Sequence, residues 1–220
     1  MHRIVATAAI VLGVVLVSGC SPADTLINRL PEKHDQPCVS NVVKASPAPP
    51  DTNVQQAETV AMPEVEFWSL IAELNGSNAP AGYTALSAKL AQRPLTELIA
   101  FEARMTISLY TLDDECRSAW YSKNDPTGLT FVADDDFLYA RADTVSAGRA
   151  VWDDAVQNDT LPWGDNGETT GSGESLLYVA MDAAKLQGTT DDEWFARVRK
   201  TFELSYETGS NPAGWLPHSG

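Results

Sequence analysis

Carboxylates are the residues of this chain best placed to do chemistry. They stand in four runs: Asp113-Asp114-Glu115, Asp134-Asp135-Asp136, Asp153-Asp154 and Asp191-Asp192-Glu193. Two carboxyl groups facing each other across roughly 5 to 9.5 Å can hydrolyse a glycosidic bond. At helix starts the same residues have a simpler use: they accept from free backbone amides and meet the positive end of the helix dipole. Three of the runs sit at expected helix starts or turns, which favours the second use. Arg141 and Arg149 complete a candidate polar cluster with Asp134, Asp135 and Asp136. Eight residues apart, the two arginines share one face of an expected helix, and arginine prefers bidentate pairing with carboxylate. The cluster reads as an internal salt bridge holding the helix start, or as a binding cleft. The former is the commoner fate of charges near a core.

Other chemistries lack their residues. The histidines are His2, His34 and His218, all outside residues 63–208. A triad with a histidine base or a His/Cys zinc site therefore cannot be built within that region. No Walker-type glycine loop and no Ser-x-x-Lys pair occurs. Asp165-Asn166-Gly167-Glu168 lacks the alternating ligands of a calcium loop. No metal site, catalytic residue or cofactor is expected. Fifteen Lys and Arg against thirty Asp and Glu give a net charge of −15. That surface repels phosphate backbones, so no nucleic-acid partner is expected either.

The N-terminus indicates a compartment. A short basic start, Met1-His2-Arg3, leads into an apolar run from Ile4 to Val17, then Ser18-Gly19-Cys20. This is the secretory pattern, and the run falls short of the ~20 residues of a spanning helix. Leu16-Val17-Ser18-Gly19-Cys20 resembles the bacterial lipobox, in which the cysteine is acylated and becomes the new N-terminus. The resemblance implies a signal peptide over residues 1–19 and lipidation of Cys20. The product would be extracytoplasmic and anchored to a bacterial membrane, and Ser21 after the cysteine permits the outer membrane if the cell is Gram-negative. Cys38 and Cys116 are left over, an even remainder in an oxidising compartment; they form one disulfide or remain two thiols.

Residues 20–62 read as a lipidated start and flexible linker, with Ser46-Pro47-Ala48-Pro49-Pro50 at its heart. Helical periods follow. Phe67, Trp68, Ile71 and Leu74 share a face after Pro63, and Asn75-Gly76 ends that helix. Leu86 and Leu90 mark a short second helix. Leu98, Phe101, Met105, Leu109 and Leu112 form the wide apolar stripe of a long third. A fourth runs from Asp134 to about Val156 and a fifth over Glu174–Leu186. A sixth opens on a Thr190/Glu193 capping box and carries Phe195, Val198, Phe202 and Tyr206. The expectation is an all-α domain over residues 63–208, a single irregular bundle of about five to six helices, with a frayed tail over 209–220. Of the six tryptophans, Trp68, Trp152 and Trp194 fit the core. Trp163 and Trp215 are less easily buried; exposed, they suit a sugar or a partner, but a loop tryptophan tucked against the domain is the commoner case.

Several segments together resemble a bacterial family known as domain of unknown function 4240. They are Phe67-Trp68 with Ile71; Glu97-Leu98 with Phe101; Asp134-Asp135 with Phe137 and Arg141; Gly148-Arg149 with Trp152; and the helix Glu174 to Ala180. The resemblance covers roughly residues 64–187 and implies a small helical fold without an established activity. The family's Trp-Leu-Ile stretch after the arginine is here Ala142-Asp143-Thr144-Val145. Of its Asp-Leu-Trp segment only Trp120 is clear, within 115–120. The expected function is a membrane-tethered, non-catalytic interaction or binding module of the cell envelope with a protein partner there. The alternative is a carboxylate-dependent hydrolase acting on envelope glycans.

Overall fold

The computed structural model describes residues 51–76, 79–124, 133–161 and 173–215. Among them lie nine α-helices and no strand. They are α1 (Thr52–Val60), α2 (Glu64–Ile71), α3 (Pro80–Leu90), α4 (Leu95–Thr111), α5 (Glu115–Lys123), α6 (Asp134–Ser146), α7 (Arg149–Asn158), α8 (Glu174–Leu186) and α9 (Asp191–Thr201). The all-α reading holds, with more helices than the periods alone suggest. The expected leader, Cys20, Cys38, Trp163, Asp165–Glu168 and residues 216–220 lie outside the described residues.

Helix α4 is the axis. Every residue from Phe101 to Tyr110 is buried, as are Leu98 and Ile99. A helix covered on all sides has to be central. Around it pack α1, α2, α6 and α8; α3 and α9 lie against α8, and α7 against α6. The aromatics of α2 continue the core outward. Phe67 stacks at 5.1 Å on Phe101 and at 5.0 Å on Trp68, which meets Trp152 of α7 at 5.5 Å.

Three features raise the helix count. Residues 52–60, read as the end of the linker, form α1. Asp51 caps it by accepting from the Asn53 amide at 2.8 Å, and the Tyr110 hydroxyl donates to the same carboxylate at 2.7 Å. Arg104 then donates to the Met62 carbonyl and, through both terminal nitrogens, to Glu58. A polar segment thus docks by specific bonds without much apolar surface. Second, α5 opens directly after α4, with Asp114 as its N-cap. Third, the expected fourth helix is two, because Gly148 at φ +102 breaks it between α6 and α7. That conformation favours glycine.

The sixth helix is shorter than its stripe implied. α9 stops at Thr201 and Phe202 turns extended. Phe202 and Leu204 then point inward and Glu203 and Ser205 outward, with the period of two of extended chain. Trp194 fills the core, whereas Phe195 is 46% exposed. The Thr190/Glu193 capping box forms as expected.

Gly173 marks a close approach. A Cβ there would stand 2.4 Å from the Tyr139 carbonyl oxygen and 2.8 Å from the Asp143 amide nitrogen. Backbone on both sides of the clash leaves little room to adjust. Gly173→Ala is expected to cost about 1–3 kcal/mol, read as a lower urea midpoint at unchanged m-value.

Candidate functional site

The site begins at the C-terminus of α4. Leu112 ends the helix in αR geometry and Asp113 follows, its side chain 0% exposed. A carboxylate removed from water needs donors on both oxygens. They come from residues 209–215. Oδ1 accepts from the Gly209 amide at 3.1 Å and from the Trp215 indole N–H at 3.0 Å. Oδ2 accepts from the Asn211 amide at 2.9 Å and from the Ser210 hydroxyl at 3.3 Å. The Asn211 side chain donates to the Tyr110 carbonyl at 3.3 Å, and the Glu115 amide donates to the Gly214 carbonyl at 3.0 Å. The frayed tail expected from Gly209 onward is therefore, as far as Trp215, a docked segment.

Arg141 supplies the opposite charge. Its side chain is also 0% exposed, with Nη1 3.7 Å from Asp113 Oδ1. Nη1 donates to the Leu109 carbonyl at 3.2 Å and Nη2 to the Thr208 hydroxyl at 3.0 Å. The guanidinium lies 4.8 Å from the centre of the Phe137 ring, which meets Trp215 edge-on at 6.2 Å and Tyr121 at 6.5 Å. Burial pulls the Arg141 pKa down to about 10, against the opposing effect of Asp113. It stays ionised at neutral pH. Its Nε is buried without a hydrogen-bond partner among the described residues.

The expected polar cluster is thus divided. Asp134, Asp135 and Asp136 are exposed on the first turn of α6. Arg141 reaches them only indirectly, through Thr208, whose hydroxyl donates to the Asp134 carbonyl at 2.7 Å. Arg149 lies on a different helix and half in solvent. It bonds Glu64 at 2.6 Å and Asp153 at 2.9 Å, and sits 5.7 and 5.8 Å from the rings of Trp68 and Trp152. One shared helical face was the wrong frame, because the break at Gly148 redirects the chain between the two arginines.

Other polar groups serve joints. Arg117 of α5 donates to the Ala155 and Val156 carbonyls at 3.1 and 3.0 Å and pairs with Asp114 and Asp159. A cation there meets the negative end of α7. Cys116 is disulfide-bonded. A cavity of about 290 Å³ between α1, α4 and α9 is lined by Val60, Thr96, Ile99 and Thr201. Among the described residues, no group of three His, Cys, Asp or Glu side chains is placed to hold a metal ion.

One group stands apart. Glu102 lies on the central helix, buried, with Oε2 lacking a hydrogen-bond partner among the described residues. Burial pushes its pKa from the ordinary 4.5 up to about 8, so it is protonated at neutral pH. Burial raises the pKa of the nearby Tyr206 phenol, and the Glu102 charge when ionised adds to that rise.

Asp113 entered the sequence reading only as a member of an acidic run. The signal that marks it is phase: Asp113 falls four residues after Leu109, and Arg141 four after Phe137 and four before Val145. Each is a charge in an apolar stripe, and two such interruptions of opposite sign suggest each other.

The family model described as "Protein of unknown function (DUF4240)" matches residues 62–185. No curated protein and no solved structure matches the chain.

Two outcomes are expected. Asp113→Asn leaves Arg141 buried without its counter-charge and turns one acceptor into a donor. It should cost roughly 3–5 kcal/mol, whereas Asp135→Asn and Asp136→Asn should stay within about 0.5 kcal/mol of the unmodified chain in denaturant titrations. For Glu102 the folded state holds its proton more tightly than the unfolded chain. Its contribution is undiminished below pH 4.5 and is lost as pH rises towards about 8, at roughly 1.4 kcal/mol per pH unit. Glu102→Gln should therefore gain stability over the unmodified chain across that window and level off above it, as thermal melts from pH 4 to 9 would record.

Proposed function

The chain belongs to the DUF4240 family of proteins of unknown function, and from that premise we propose that its helical domain is a non-catalytic binding module held at a bacterial membrane by a lipid on Cys20. The anchor reading rests on the lipobox-like Leu16–Cys20 and the short apolar run before it. The protein is then extracytoplasmic, with residues 21–50 as its tether and a protein of the cell envelope as its partner. No helix of the described residues is long and apolar enough to cross a membrane.

The observation that carries the binding reading is the use to which the charged candidates are put. Asp113 and Arg141 fasten a peptide segment, Arg117 and Arg104 join helices, and Arg149 bridges α2 and α7. Asp134, Asp135 and Asp136 follow one another on one exposed turn, where neighbouring side chains diverge and do not face each other across a cleft. A surface built this way recognises peptide groups more readily than it breaks bonds. Cys116 pairs with Cys38 in this reading; its loop would tie the end of the tether to α5.

In a bacterial host, the mature protein is expected to begin at an acylated Cys20, seen as a lipid-sized mass increment on the N-terminal peptide. Cys20→Ala should abolish the increment and release the protein from the membrane fraction. A mature N-terminus at any other residue would remove the anchor. Non-reducing digestion should yield a Cys38–Cys116 linked peptide pair. Crosslinking in intact cells should capture an envelope protein through the folded domain; hydrolysis of isolated envelope glycan that survives in D135N/D136N but stops in another carboxylate variant would replace the binding reading.

A further inference from the structure

The residues that receive the segment 208–215 all lie inside the family-matched range, 62–185, while the segment lies outside it. The domain therefore carries a socket, made by Asp113, Arg141, Phe137 and the carbonyls at the end of α4. The occupant comes from beyond the domain. We infer that this socket is a peptide-accepting site, that Thr208–Trp215 is a releasable strap occupying it in cis, and that the same segment of a second copy of the chain is its ligand in trans.

Three observations support exchange. First, the strap is fastened by polar bonds: none of residues 207–215 is fully buried, and Trp215 is its one large apolar anchor. Segments with little apolar burial open at a fraction of the global free energy. Second, the socket is specific about what it takes. Four donors converge on one carboxylate, Gly209 sits at φ +83, and a Cβ on Gly214 would stand 2.5 Å from the Asp113 carbonyl oxygen. The ligand class is a short turn with two free amides one residue apart, a hydroxyl on the residue between them, a glycine at the close approach and an indole at its end. The chain's own C-terminal segment has that chemistry. Third, the hinge lies in place. Phe202 and Leu204 are buried anchors, and between them and the strap Ser205 and Glu207 are exposed while Tyr206 rests partly buried against the core. Lifting the strap lets water reach Asp113 and Arg141, which removes the penalty of leaving them unpaired. Exchange of an identical segment between copies replaces every bond it breaks.

The inference deepens the binding-module reading and rests on it, but needs no lipid. A failed exchange leaves the anchoring result untouched, and a chain without a lipid still tests the socket.

Two measurements decide it. In the unmodified chain, hydrogen exchange at the Gly209 and Asn211 amides should be at least 100-fold faster than at Phe101 and Met105 in α4, with identical solvent conditions. Exchange of all four at one common rate means the strap leaves only on global unfolding, and overturns the inference. Separately, a fluorescent synthetic peptide of residues 207–216 is titrated into the full chain carrying N211P and W215A, which disable the strap and spare the socket. Binding at least tenfold tighter than to the unmodified chain is expected, together with at least tenfold loss when Trp215 of the peptide is replaced by Ala. A strap-disabled chain that melts cooperatively yet binds the peptide no better, or binds the Trp215→Ala peptide equally, overturns it.

Discussion

A carboxylate wholly withdrawn from water dictates its surroundings, and Asp113 does so here. Both its oxygens are met by donors from a segment roughly a hundred residues further along the chain, and the nearby guanidinium of Arg141 balances its charge. The corner between α4 and α5, the inward face of α6 and the course of the chain after α9 all follow from that requirement. An ion pair in such a place is a weak source of net stability, because desolvation offsets much of the attraction. Its effect lies in selection: arrangements that leave Asp113 or Arg141 without partners cost several kcal/mol, whatever apolar contacts they make.

The same logic recurs at smaller scale. Arginines of α4 and α5 reach backbone carbonyls at helix ends or just beyond them: Arg104 takes Met62, just past α1, and Arg117 takes the last turn of α7. Each is also held by an acidic side chain. Short helices that bury few apolar residues are thereby tied down, α1 to the well-buried axis and α7 to α5. Glu102 is the exception on that axis. It has no cation among its bonded partners and meets burial by keeping its proton.

The sequence was readable where periodicity and caps coincide. The α4 stripe, the Asn75-Gly76 stop and the Thr190 capping box stand where the residues place them, because each depends on neighbours a few positions away. What failed depends on distance. α1 was hidden by its polar composition, since its docking rests on Glu58, Asp51 and Met62 finding Arg104 and Tyr110. Gly148 was visible as a residue but not as a break, for a single glycine is tolerated within many helices. The socket was half legible: its charges interrupt apolar stripes, yet nothing local in Gly209–Trp215 announces that its amides face a carboxylate. The alternation of Phe202 and Leu204 was read with a helical period because Val198, Phe202 and Tyr206 also fit one.

The distance between Asp113 and its donors has a meaning in time as well as in space. Residues 209–215 are made after every element they fasten, and if the chain is exported they cross after them. Until they arrive, the nine helices of the described residues have been made while the end of α4 stays hydrated and unfinished. Loop closure over so long an interval adds little entropy cost beyond that of a shorter loop, so the delay is one of order and not of difficulty. The segment that follows the helices is the one that dries the corner, and completion of the fold waits on its arrival.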